Sequence, residues 1–487
     1  MGILDGLKPE RVFYYFEKIC SIPHGSYNVR KISDYCMEVA KNLGLEARQD
    51  EWYNVVIRKP ASADQAGGPV LMLQGHLDMV AVKNPGVALD LEKDGLSLIV
   101  EDGYIRADGT SLGADDGIAI AMILAILEDD SISHPALEAV FTVQEEVGME
   151  GAAAMSVDDL QSTYMLNLDC ETEGQILAGC AGGACAKAVV PGHMQEKDGQ
   201  LYQIRIEGLT GGHSGAEIHK GRANANVLLG RALMALREKT PIFLKEAEGG
   251  EKDNAIPHSS YASFITDPDT DPDVLKAAFE SFCAQIEAEY GRIEKTCSLR
   301  MTGPEMASCP VMSAEDTDKV LFLLFVSPDS MQSMSQDLPG IVQTSLNLAI
   351  LRADAREASI TWSVRSILHS GKQHLLDKLC HLAGSQGCTC QIYGDYPEWP
   401  FNPHSRMCAL SAEIYRDLTG KEPRMEMIHA GVECSIFSEK MPGLDIVSLG
   451  PDILDIHTPG EHMDIASAAR VYELVLRILA RFPEIVQ

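Results

Sequence analysis

The chain has 487 residues, more than one ordinary core holds, so about two to four domains are expected. A formal net charge of -31 and only 6% aromatic residues exclude a phosphate backbone or stacked bases as partners, so no nucleic acid is expected. The 13 cysteines include no C-x-x-C pair, which argues against a zinc ribbon or a disulfide scaffold and for a reducing cytoplasm. In chain order, residues 9–19 and 28–43 carry the apolar spacing of amphipathic helices, the second stopping at Gly44, a C-terminal cap. Residues 54–58 and 69–73 read as strands, the latter an apolar run of the type buried in a parallel sheet. An apolar helix is expected over 117–127 and buried strands over 139–143 and 164–168. This alternation predicts an α/β fold with a mostly parallel sheet.

From about residue 192 to 396 the pattern changes. Period-two strands at 202–207, 259–265, 344–352 and 359–364 alternate with charged helices at 274–290 and 372–383, which predicts a separate α+β domain. After the proline-rich stretch 397–403 the α/β character resumes, with a strand at 444–449 and a closing amphipathic helix at 466–482. The expected organisation is a catalytic domain made of 1–191 and 397–487, interrupted by an inserted domain over 192–396. The opening residues lack a basic segment and a long apolar core, so no signal peptide is expected. No uncharged apolar run of about 18 residues occurs, so no membrane span is expected either.

The chemistry gathers at expected strand ends. His76 and Asp78 lie two apart, which puts both on one face; a carboxylate there can hold the free ring N–H and set the tautomer for metal binding. Alone, the pair also reads as a structural contact. Asp115 and Asp116 precede the apolar helix, where one can be a ligand and the other an ordinary N-terminal cap. Glu145 and Glu146 follow a strand; one can bind a metal and the other move a proton, or both can be solvated. Asp169 ends another strand, and His457 lies before the last helix. Taken together, His76, Asp115, Glu146, Asp169 and His457 fall where an open α/β sheet forms its sites. Two histidines and three carboxylates, without thiolate, suit zinc or manganese. Five side chains are too many for one open catalytic zinc but fit two ions about 3.5–4 Å apart sharing a carboxylate.

The segments Gly75-His76-Leu77-Asp78-Met79-Val80, Leu112-Gly113-Ala114-Asp115-Asp116-Gly117, Glu145-Glu146-Val147-Gly148, Leu168-Asp169, Gly212-His213-Ser214-Gly215, His429-Ala430-Gly431-Val432-Glu433-Cys434 and His457-Thr458-Pro459 together resemble the co-catalytic zinc peptidase clan of aminoacylases and dipeptidases. Within it the chain looks like the aminoacyl-histidine (Xaa-His) dipeptidases over nearly its whole length. The resemblance implies a di-metal catalytic domain with an inserted lid domain, a small peptide substrate and a homodimer through the insertion. It implies that His76 binds one metal with Asp78 behind it, that Asp115 bridges two, and that Glu146, Asp169 and His457 complete the two shells. Glu145 is then the general base. Zinc is the expected ion, with manganese and cobalt as alternatives. Asp116 stands where many relatives carry Asn. Asn254, Arg365, His429 and Glu433 are the implied substrate contacts, and His213 stabilises the oxyanion, with His219 as its rival. The alternatives on this fold are an N-acyl amino acid amidohydrolase and an inactive binding homologue.

Overall fold

The computed structural model describes residues 2–336 and 339–486. Two compact units emerge. One comprises Met1–Cys180, Trp399–Met427 and Val432–Gln487; the other comprises Ala181–Glu398 and Ile428–Gly431.

The first unit is built on an eight-stranded sheet. At its centre Leu137–Thr142, Leu71–His76, Tyr164–Asn167 and Asp445–Ser448 pair in parallel. Outside them Val55–Lys59 and Glu46–Gln49 on one side, and Gln175–Cys180 on the other, pair antiparallel. The parallel strands are buried along nearly their whole length, as apolar strands covered on both faces are. The helix Ala114–Glu128 is apolar all round, and residues 114–127 of it are buried, as expected for a helix enclosed by other elements. Gly117 permits that enclosure: a Cβ there would stand 3.3 Å from Ile19 and 3.4 Å from Phe16 of the helix Glu10–Cys20.

A small four-stranded sheet was not expected. It joins Leu98–Glu101, Tyr104–Ala107, His462–Asp464 and Ile453–Leu454, all antiparallel. Its last hairpin carries His457, so this sheet positions the candidate metal-binding histidine that follows no strand of the large sheet.

The second unit has a nine-stranded sheet whose recorded pairings are all antiparallel. The helices Ala225–Arg237, Pro272–Tyr290, Ala314–Val326 and His369–Ser385 contribute to its core. The strand Gly182–Pro191, expected in the first segment, instead pairs with Glu357–Ser366 in this sheet. Its alternate side chains Ala184, Ala186, Ala188 and Val190 fill that core, which decides its membership. Cys380 and Cys390 are joined as a disulfide with a Cα–Cα distance of 5.3 Å. No disulfide is expected from the spacing of these cysteines, which sit ten apart, on a helix and on the strand Thr389–Tyr396. Among the described residues no helix is long and apolar enough to cross a membrane.

Candidate metal centre

The carboxyl ends of the central parallel strands deliver most of the candidate donors. His76 is the last residue of Leu71–His76 and is 1% exposed. Glu145 and Glu146 follow Leu137–Thr142, and Asp169 follows Tyr164–Asn167. Asp115 opens the helix Ala114–Glu128, where it and Asp116 keep non-helical backbone angles. These side chains converge. His76 Nε2 lies 3.0 Å from Asp115 Oδ1 and 3.5 Å from Asp169 Oδ1. His457 Nε2 lies 3.1 Å from Asp115 Oδ2 and 3.0 Å from Glu146 Oε2. Asp115 thus turns one oxygen to each histidine, which is the disposition of a bridging carboxylate. The donor atoms of Asp115, Glu146 and His457 lie within 4.8 Å of one another, as do those of His76, Glu145 and Glu146, and those of His76, Asp116 and Asp169.

The electrostatics show what the cluster lacks. Burial alone would raise Asp115, but hydrogen bonds from His457 and His76 outweigh it and hold the carboxyl well below its usual range. Asp115 and Glu146 hold His457 up at about 11. Burial opposes charge on His76, yet Asp169, Asp115 and Asp78 raise it well above an ordinary imidazole. Burial pushes Asp169 up to about 6 and Glu145 well above a normal glutamate. So many buried carboxylates favour positive charge among them, and both histidines are raised accordingly. Glu146 Oε1 is moreover buried without a hydrogen-bond partner. Nitrogen and oxygen donors in two overlapping sets, with an orphaned carboxylate oxygen between them, fit a pair of divalent cations.

The supporting groups differ in part from expectation. His76 Nδ1 donates to the Asp78 backbone carbonyl at 2.9 Å, while the Asp78 carboxylate stands 3.7 Å away. That carboxylate accepts instead from Ser26 Oγ at 2.8 Å and from the Glu145 N–H at 3.0 Å. Asp78 therefore ties the loop of His76 to the loop of the two glutamates. Asp116 accepts from the His76 N–H at 3.1 Å, and a Cβ on Gly75 would stand 2.5 Å from that Asp116 oxygen, so glycine is required beside the histidine. Glu433, expected to touch substrate, is 0% exposed and offers a ligand no surface. Its Oε2 accepts from Gln74 Nε2 at 2.6 Å and Thr142 Oγ1 at 2.5 Å, beneath the strand ends, and burial lifts it to about 7.

Glu461 is a supporting residue that the sequence reading did not single out. It is 2% exposed, and its carboxylate accepts from the N–H groups of Leu112, Gly113 and Ala114 at 2.8–3.1 Å and of Asp115 at 3.5 Å. A buried anion at these N–H groups aims the Asp115 side chain. Glu461→Gln puts an amide against them and is expected to lower metal affinity about 10- to 100-fold. Competition against a chelator measures this; unchanged affinity would mean that Asp115 needs no such anchor.

A second group of expected residues meets inside the second unit. The two-residue strand Gly212–His213 pairs with Ala255–Ile256, and the Asn254 carbonyl accepts from the Ser214 N–H at 2.8 Å. A Cβ on Gly215 would stand 2.9 Å from the His213 ring and 3.2 Å from Arg365 Nε, and would strike the His429 carbonyl. His213 Nδ1 accepts from the Gly215 and Ala216 N–H groups at 3.1 and 2.9 Å, so the proton of the neutral ring resides on Nε2. Burial and the nearby Arg365 charge lower the His213 pKa, and push His429 down to about 3. Arg365 donates to Tyr396 Oη at 2.6 Å, keeps a buried Nε without a partner, and has no carboxylate within 4.0 Å among the described residues. A buried guanidinium with an unpartnered Nε and no carboxylate beside it is suited to accept an anion. His219 is exposed on the turn beyond.

The chain is similar to known peptidases over most of its length. The profile of peptidase family M20/M25/M40 matches residues 72–481. The cytosol non-specific dipeptidase of Escherichia coli (strain K12) is 34% identical over 490 aligned residues, covering 99% of this chain and 100% of its own. The structure of an aminoacylhistidine dipeptidase from Vibrio alginolyticus superposes with a TM-score of 0.90 at 32% identity, over 98% of this chain and 97% of that one. A tripeptidase from Staphylococcus aureus shares the fold, with a TM-score of 0.55 at 19% identity over 99% and 100% of the two chains.

Proposed function

The chain belongs to peptidase family M20/M25/M40, and from that premise we propose that it is a metal-dependent dipeptidase whose two divalent cations are held by His76, Asp115, Glu146, Asp169 and His457. The observation that carries this reading is Asp115, whose two oxygens face two histidines that themselves meet Asp169 and Glu146. When bound, the cations supply Lewis acidity toward water and the scissile carbonyl. Glu145 accepts the water proton and returns it to the departing amine. Asp78 fixes the Glu145 backbone, and Glu461 fixes Asp115. His213 Nε2–H is assigned to the developing oxyanion, for which a neutral donor of fixed tautomer is suited. Arg365 is assigned to the peptide's α-carboxylate, with His429 and Asn254 as further substrate contacts.

The dipeptidase likeness extends over 99% of the chain, which favours this reading over an N-acyl amino acid amidohydrolase or an inactive homologue. Zinc is proposed on family likeness, with manganese and cobalt as alternatives, and the nitrogen and carboxylate donors accommodate it. A cytoplasmic location draws support from the cytosolic relative. A homodimer through the inserted domain rests on family likeness alone. The test is reconstitution. Protein stripped by a chelator is expected to be inactive, and zinc, manganese or cobalt to restore hydrolysis of β-Ala-His and Gly-Gly-type dipeptides, with tripeptides and N-acyl amino acids poor substrates. No dipeptide hydrolysis with any of the three ions would sink the proposal.

A further inference from the structure

In the second unit the strands Gly182–Pro191, Glu357–Ser366 and Val342–Ala353 lie side by side. Ala184, Ala186, Leu346, Leu348, Trp362 and Val364 point into the core. Alternation therefore sends the residues between them to the opposite face. Register sets these in two rows: Ser345, Arg365 and Gly183 in one, then Asn347, Ser363 and Cys185 in the next. Asp253 lies over the second row. Its carbonyl accepts from Asn347 Nδ2 at 3.4 Å, and its carboxylate accepts from Cys185 Sγ at 3.5 Å. Burial, then the Asp253 charge, push the Cys185 thiol up to about 12, so it stays a donor.

Rows on one face of a strand are about 6.6 Å apart. An anion thus stands roughly one row from the guanidinium assigned to the substrate carboxylate. Asp253 is half-buried, and among the described residues no lysine, arginine or histidine comes within 4.0 Å of it. Lys187, one row further along and opposite Thr361, forms no ion pair with it. A half-buried carboxylate left without a cation is a place for one brought by a ligand. Lysine and arginine reach from an α-carboxylate across one row on their flexible stems.

We propose that Asp253 makes this enzyme select dipeptides whose C-terminal residue carries a cationic side chain, lysine or arginine, with the peptide carboxylate on Arg365. The inference rests on the dipeptidase reading of Arg365. The metal-loaded enzyme is to be assayed with Ala-Lys, Ala-Arg and Ala-norleucine, the last having the lysine stem without its charge. Ala-Lys is expected to exceed Ala-norleucine in kcat/KM by about fivefold, the worth of a partly exposed ion pair. Asp253→Asn should bring that ratio to about one, and Asp253→Lys should turn the preference toward Ala-Glu. A wild-type ratio of one, or a ratio that Asp253→Asn leaves in place, overturns the inference. Arg365→Gln separates the two readings. If it leaves the KM for Ala-norleucine unchanged, the carboxylate anchor fails and this inference with it. If it raises that KM while Asp253→Asn leaves the ratio unchanged, the role of Asp253 alone is lost.

Discussion

Glu145→Ala is expected to lower kcat by about 10²–10⁴-fold while both metal equivalents stay bound. Glu145 stands within reach of the cluster, sharing a donor set with His76 and Glu146. It differs from Glu146 in its partners. Glu146 Oε2 lies 3.0 Å from His457, whereas Glu145 pairs with neither histidine and has its backbone N–H on Asp78. Burial raises its proton affinity more than the His76 charge lowers it, with Asp169, Glu433 and Glu146 adding to the rise. A carboxylate in that environment takes a proton more readily than an exposed glutamate does. The measurements are steady-state kcat on a dipeptide and metal content of the purified variant by elemental analysis. Lost turnover with metal retained assigns Glu145 to proton transfer. Lost metal would make it a ligand, and retained turnover would move the base elsewhere. Glu146→Ala supplies the contrast, since it should lose metal first.

The donors were legible because each terminates or follows an apolar run that burial makes conspicuous: 69–73 before His76, 139–143 before Glu145 and 164–168 before Asp169. Once those runs are parallel strands, their carboxyl ends lie together whatever their separation in the chain. Glu461 was not legible for the same reason reversed. It acts on N–H groups 346–349 residues away, and nothing in its own neighbourhood marks it. The small sheet that aims His457 was missed because its strands are two to four residues long, too short for a period. The strand Ser298–Met312 was missed although it is 15 residues long: it is mostly exposed at the sheet edge and carries Gly303, Pro304 and Pro310, residues that edges tolerate and apolar alternation does not predict. Glu433 shows a different limit. Its motif marks it as important, but depth is a property of packing, and the fold places it beneath the site.

The severest loss is expected from Asp115→Ala, which should bind at most one metal equivalent and reduce kcat/KM by more than about 10³-fold. One side chain here contributes to both sides of the cluster, so its removal cannot be confined to one cation. His76 would keep Asp169 at 3.5 Å and His457 would keep Glu146 at 3.0 Å, two separate pairs in place of one connected array. The metal-free protein offers a readout independent of turnover. Asp115 is the largest cause of the His457 pKa of about 11. A histidine raised in the folded state contributes stability that is fully present below its unfolded pKa of about 6.5 and fades as pH rises through the folded value. Asp115→Ala should therefore lower the His457 titration midpoint seen by NMR, and weaken the dependence of apo-protein stability on pH across that same alkaline window. A variant that still bound two metals would show that Glu146 and Asp169 bridge without it, and that the facing oxygens of Asp115 are a consequence of the two histidines rather than what joins them.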